Sequence, residues 1–349
     1  ATYYKGINLL LNDQPDKAID AFIEVVRLDP ETIELHHALG NLFSRRGEFD
    51  RAVRIHNHLL NREDLPEHER SLALFELGND YLKAGIYDRA EDSFQRLLKE
   101  PEYHLDALRA LLKIYCTEKE WEKAIDVANT LEKQAGENHQ VEMGHFHCEL
   151  AALAMRAKQY DQAREALQKA LQVDRHSVRA LIMLGNLAML NNDPQTALLH
   201  WSKVETVSPD YLPLVMVPMA KAYEASGQHE QAMNLVHRAL EDHSSVETLS
   251  IALDLIVKSE GEQAAQKFLK EELVRHPTLW TYEKLAELRL KDHPQDSELQ
   301  LLISLLKPYV SRPGRYRCSH CGFKAKGFQW LCPGCSSWGS YSPKREEES

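Results

Sequence analysis

No run of eighteen apolar residues occurs in this 349-residue sequence, so nothing in it as given crosses a membrane as a helix. A signal peptide is missing too: the chain starts at Ala1 rather than Met, already inside an amphipathic pattern, as a trimmed chain would. The catalytic signatures G-x-x-x-x-G-K-[ST], G-x-S-x-G, H-E-x-x-H and G-x-G-x-x-G do not occur. That points to binding rather than catalysis. Cysteine is scarce, six in all, and too unevenly placed for a disulfide framework. Cys116 and Cys148 stand alone in helical segments and read as small buried hydrophobes, which fits a reducing compartment such as the cytosol. Acid is absent from residues 307–341, which carry Lys307, Arg312, Arg315, Arg317, Lys324 and Lys326. Since the whole chain is at −11 and its last eight residues at −1, residues 1–306 hold −16. An acidic arm thus carries a basic tip, able to fold back on the arm or to face an acidic partner.

The other four cysteines form two pairs, Cys318-Ser-His-Cys321 and Cys332-Pro-Gly-Cys335. Two facing C-x-x-C loops close a tetrahedron of thiolates around one divalent metal. Gly322 after the first pair and Pro333-Gly334 inside the second let the backbone turn tightly and aim amide hydrogens at sulfur. A disulfide would need an oxidising compartment, and a thioredoxin-like site needs one such motif between a strand and a helix. So short a segment cannot fold alone, and the ion supplies the difference, on the order of 10–16 kcal/mol for structural zinc peptides. With Cys318, Cys321, Cys332 and Cys335 all committed, the site is structural; zinc suits it best and iron also fits. Tyr316, Phe323, Phe328, Trp330, Trp338 and Tyr341 crowd the same segment. They read as the small core of the metal module or as its contact with the last repeat, the alternative being a single-strand nucleic-acid surface.

Upstream, one unit recurs. An apolar-Gly pair is followed by an aromatic three residues on, an Ala nine residues later and apolar residues beyond, as in Leu77-Gly78, Tyr81, Ala90, Phe94 and Leu97. Leu39-Gly40, Phe43, Ala52 and Leu59 repeat it, as do Leu184-Gly185, Ala197, Trp201 and Val204. Weaker copies surround Ala18, Ala124, Ala163, Ala232 and Ala264, a spacing of 32 to 39 residues that resembles the tetratricopeptide repeat. Gly and Ala belong where two helices cross closely, with aromatics filling the space beside them. Pro30 and Pro209 close units, and turns fall at Arg46-Gly47-Glu48, Ala84-Gly85-Ile86, Asn192-Asp193-Pro194 and Ser226-Gly227-Gln228. The fold class is all-α: a tetratricopeptide-repeat superhelix, an α-solenoid, with a small C-terminal rubredoxin-like zinc-ribbon module. Residues 1–309 hold about eight helix pairs plus a capping helix from roughly Ser297 to Tyr309, residues 310–315 a linker, 316–342 the metal module and 343–349 a disordered tail. Irregular packing is expected around 130–145 and 240–262.

In such repeats the first helices line a concave groove, where Asn41, Asn79 and Asn186 follow the glycines and Arg45 and Lys83 come one turn later. Amides and cations there can hold a peptide backbone or a carboxylate. The 17 histidines invite a metal reading, but His56 and His58, like His145 and His147, are two residues apart in helices and point to opposite faces. They read as solvated or hydrogen-bonded side chains.

Repeats of this period ended by Tyr316-Arg-Cys-Ser-His-Cys-Gly-Phe323 and Trp330-Leu-Cys-Pro-Gly-Cys-Ser-Ser-Trp338 resemble the lipopolysaccharide assembly protein B family of Gram-negative bacteria. Gly40-Asn-Leu-Phe43, Arg51-Ala-Val-Arg-Ile-His56, Tyr87-Asp-Arg-Ala-Glu-Asp92 and Lys123-Ala-Ile-Asp-Val-Ala128 look like that family too, and the resemblance covers essentially the whole chain. It implies a non-enzymatic adaptor held at the cytoplasmic face of the inner membrane by a short N-terminal helix, which this chain lacks. It further implies two protein partners, a membrane-bound AAA metalloprotease and the lipid A pathway deacetylase that the adaptor delivers to it, so limiting lipopolysaccharide synthesis. The metal ligands carry over onto the four cysteines, and no nucleic acid is expected. A homo-oligomer is compatible with the sequence. A nucleic-acid-binding zinc ribbon and a rubredoxin-type electron carrier are the alternative functions.

Overall fold

In the computed structural model, Ile23 and residues 32–242, 246–310 and 316–341 are described. The unit expected around Ala18, the linker after Val310 and the tail lie outside them. The helices run in order: α1 (Ile33–Arg45), α2 (Phe49–Leu60), α3 (Glu67–Lys83), α4 (Tyr87–Leu97), α5 (His104–Glu118), α6 (Trp121–Ala135), α7 (Gln140–Arg156) and α8 (Tyr160–Val173). Then come α9 (Val178–Leu190), α10 (Pro194–Val207), a 3₁₀ turn at Pro209–Tyr211, α11 (Pro213–Ala225), α12 (His229–Asp242), α13 (Val246–Ser259), α14 (Glu262–Arg275), α15 (Leu279–Asp292) and α16 (Ser297–Val310). Two short antiparallel strands, β1 (Tyr316–Arg317) and β2 (Lys324–Ala325), open the metal module.

The pairs from α1–α2 to α11–α12 are closed by the same device. At the end of the first helix one residue turns left-handed and the next amide donates back five residues, as Glu48 does to the Phe43 carbonyl, Ile86 to Tyr81, Asp193 to Ala188 and Gln228 to Tyr223. This bond satisfies a helix-end carbonyl and reverses the chain within three residues. Of the second helices, α10 starts on a side-chain cap, the Asp193 carboxylate accepting from the Thr196 amide with Pro194 in the first turn, whereas α2, α4, α6, α8 and α14 start without one.

The close crossings fall where the glycines predict. A methyl group added at Gly78 would meet the Phe94 ring at 3.0 Å, and one at Gly185 would lie 2.2 Å from Trp201 Nε1. Trp201 is fully buried and its indole N–H donates to the Ile182 carbonyl. Burying roughly 200 Å² of indole is worth up to about 5 kcal/mol, so the glycine that admits it is a stability determinant. The alanines at 52, 90, 124, 163, 197 and 232 are likewise buried, but in α14 the buried residue is Ala265, one position beyond the one expected.

The chain divides into two compact units, residues 1–146 and 147–349, with the boundary inside α7. In the first, Leu35, Leu39, Leu42 and Phe43 of α1 pack on Ala52 of α2, and Trp121 of α6 stacks on Phe146. The irregular stretch expected near 130–145 holds a loop opened by left-handed Gly136 and a seventeen-residue α7. In the second unit, Val178, Leu181, Trp201, Val215 and Met219 form a core that also receives Trp330 of the metal module. The capping helix α16 lies on α15 but leaves Leu301, Leu305 and Tyr309 exposed along one side.

Candidate metal centre

The two C-x-x-C loops fold alike. Cys318 donates its amide to the Phe323 carbonyl while its own carbonyl accepts from Gly322; Cys332 and Ser337, with Ser336 donating back to Cys332, repeat the pattern. The turn residue is left-handed in both, Gly322 at φ +77° and Ser336 at φ +56°. Phe323 lies across the second loop, 3.2 Å from where a Cβ on Gly334 would sit, so that glycine leaves room for the ring beside Cys321. A bridge from Leu331 to Trp338 closes the second loop, and one from Cys318 to Tyr341 joins the two halves.

All four Sγ atoms lie within 4.8 Å of one another, with Cys318 to Cys335 at 3.8 Å and Cys321 to Cys332 at 3.6 Å. Four sulfurs at about 2.3 Å from a central zinc stand about 3.8 Å apart, so the spacing suits an ion and not a disulfide. The donor set demands a cation for another reason. Burial opposes charge on Cys318, yet the Ser340 hydroxyl and the amides of Cys321 and His320 outweigh it and bring that thiol down to about 6. On Cys321 the Phe323 amide favours the thiolate, but burial and the three neighbouring sulfurs prevail and push it up to about 12. Four thiolates cannot crowd together unless a positive ion sits among them.

The module is seated on the repeats of its own unit. Trp330 stacks face to face on Tyr211, centroids 5.7 Å apart and planes 3° off parallel, while Phe328 meets Tyr211 edge-on at 6.2 Å. Arg179, buried at the start of α9, lies 5.9 Å from the centroid of Trp330 and 5.7 Å from that of Trp338, and its guanidinium is held by Glu149 of α7 at 2.6 Å. Phe328 also packs edge-on against Tyr316, Trp330 and Tyr341. The aromatics other than the exposed Phe323 therefore form the core of the ribbon and its seat, and the seat is the start of α9 and the 3₁₀ turn after α10 rather than the last repeat. Arg179 and Tyr211 had no sequence signal as contact residues; each looks like an ordinary repeat position.

The five groove candidates separate by environment. Arg45 and Asn186 are exposed. Lys83 donates to the Ser44 hydroxyl, Asn79 to the Phe75 carbonyl and Asn41 to Glu76. Among the histidines, His58 is exposed whereas His56 is buried against Asp80 and Glu76. No helix among the described residues is long and apolar enough to cross a membrane.

Residues 316–343 match a family model described as a rubredoxin metal binding domain, and tetratricopeptide repeat models match residues 35–69, 75–139 and 154–200. The chain is similar to lipopolysaccharide assembly protein B of Escherichia coli strain K12, 36% identical over 346 residues that cover 98% of this chain and 89% of that protein. The Haemophilus influenzae protein of the same name is 32% identical over 357 residues, covering 99% and 90%. A TPR repeat-containing protein of Bacillus subtilis, YpiA, is 23% identical over 308 residues, covering 86% of this chain and 69% of its own length.

Proposed function

Because this chain belongs to the lipopolysaccharide assembly protein B family, we propose that it is a non-enzymatic adaptor that brings the lipid A pathway deacetylase to a membrane-bound AAA metalloprotease for degradation. It works at the cytoplasmic face of the inner membrane. Its repeats hold one protein partner, with the exposed Arg45 and Asn186 among the contact candidates, and the ribbon presents the second surface. One zinc ion, bound by Cys318, Cys321, Cys332 and Cys335, keeps the ribbon folded. Co-localisation raises the substrate concentration at the protease without any new chemistry.

The observation that carries this reading is the seat of the ribbon. Trp330 and Trp338 spend their faces on Tyr211 and Arg179, which supports an internal, architectural module over a platform for stacking bases. The test is reconstitution with the intact chain and with Cys318→Ser/Cys321→Ser, following deacetylase turnover by the protease in membranes. Accelerated turnover with the intact chain, lost in the variant while helicity persists, is the expected result. Equal turnover with both proteins would sink the adaptor reading. Retention of nucleic acid, or bound iron that cycles reversibly with a reductase, would favour the alternatives instead.

A further inference from the structure

Superposing the repeats on their crossing glycines gives a register in which the first described repeat stands apart. Sixteen residues after the glycine, later repeats hold Phe94 and Trp201; here the residue is His56. Three residues before the glycine they hold Phe75 and Ile182; here it is His37. Two core positions that are apolar elsewhere are both imidazoles. The next repeat supplies acids to the same place: Glu76 and Asp80 of α3 stand where other copies have Ala38 and Met183, or Leu42 and Leu187. Buried polar residues that break a repeat rule are the places to look for a ligand.

His37, His56 and Glu76 each offer a ligand atom, all within 4.8 Å of one another, and both histidines are buried. His56 Nδ1 stands 2.7 Å from Asp80, itself 1% exposed, so its hydrogen-bonded partner is a carboxylate and Nε2 is the nitrogen turned toward the cluster. That Nε2 has no aligned hydrogen-bond partner and lies 3.1 Å from Glu76 Oε2. The same carboxylate oxygen is in close contact with His37 Nδ1, while His37 Nε2 faces Glu69 Oε2 at 3.2 Å. Asn41 donates to the other oxygen of Glu76. Every candidate ligand is thus oriented by a second polar group, the arrangement that marks built metal sites.

From this geometry we infer that His37, His56 and Glu76 form a second metal site, taking one divalent transition-metal ion, zinc in the first instance, independently of the cysteines. Two imidazoles and a carboxylate are borderline ligands suited to zinc, and three protein ligands leave a fourth position open. Without an ion His56 carries a proton in its place, since burial works against charge there but its contacts with Asp80 and Glu76 lift it to about 9, so binding must displace that proton. An ion between α1, α2 and α3 would tie the first described repeat to the second.

The test uses the whole chain equilibrated with zinc in a chelator buffer, with bound metal counted by mass spectrometry. Two equivalents are expected for the native chain and one for Cys318→Ser/Cys321→Ser. His56→Phe restores the residue type found at that position in α4 and should fold; in the cysteine-intact chain it should drop the count from two to one. Glu76→Gln, nearly isosteric, should weaken the second equivalent at least tenfold, and Asp80→Asn, acting through His56, by about 10–100-fold. Cobalt loading distinguishes the sites, because thiolate-to-cobalt charge transfer comes from the ribbon alone. A single equivalent in the native chain, or two retained in His56→Phe, overturns the proposal.

Discussion

A methyl group has no room at Gly185: it would overlap Trp201 Nε1 and dislodge the indole from its bond to Ile182. Gly185→Ala is therefore expected to cost about 1–3 kcal/mol, read as a lowered denaturation midpoint with an unchanged slope. At Gly47, also a repeat glycine, no atom lies within 4 Å, and the loss on substitution would come from its positive φ instead. This division was legible in the sequence, because Gly185 sits in an apolar helical run and Gly47 between two helices. The thiols separate as cleanly. Burial pushes both Cys116 and Cys148 up to about 12, so at neutral pH neither is a thiolate. After chelation, brief alkylation of the folded repeats should modify the four ribbon cysteines and spare these two; metal-loaded protein should resist at all six, as peptide mass mapping would reveal. The histidine cluster was harder to see. Sequence spacing compares residues along one helix, whereas His37, His56 and Glu76 come together from three.

The turns inside the pairs show a helix-level economy. Lys119 and Lys158 take up the left-handed conformation, at φ +62° and +59°, that Gly47, Gly85 and Gly227 supply elsewhere. A side chain costs about 1–2 kcal/mol there. Both lysines are exposed, so Lys158→Gly should raise stability by about 1 kcal/mol, less what glycine adds to the entropy of the unfolded chain. Thermal or chemical denaturation would measure it, and a loss of stability would show that the lysine makes a compensating contact. Glycine-bearing turns were readable from sequence because Gly advertises positive φ; the Lys turns emit no such signal, and only the matching back-bonds from Glu120 to Tyr115 and from Gln159 to Ala154 identify them.

At the scale of the molecule, the seat of the ribbon joins distant segments of one unit. Arg179 between Glu149 and two tryptophans is a partly desolvated cation against aromatic faces. A double-mutant cycle with Arg179→Ala and Trp330→Ala should return a coupling of about 0.5–2 kcal/mol, against none if the ribbon floats free. The ribbon itself was fully legible, since its ligands lie within eighteen residues, but its berth was not: Tyr211 and Trp330 are near only after the intervening helices have folded. Arrays of repeats ordinarily fray from their ends, each outer unit peeling away without disturbing the next. Here the far end of the array is moored back to its own middle, so α11 to α16 are a span fastened at both extremities. Peeling from that side would have to break the mooring, which an ion among the thiolates would strengthen by keeping the ribbon folded. Metal removal is therefore expected to speed the opening of the last six helices, a latch that amide exchange along α15 and α16 would register before any change in α9; unchanged exchange there would refute it.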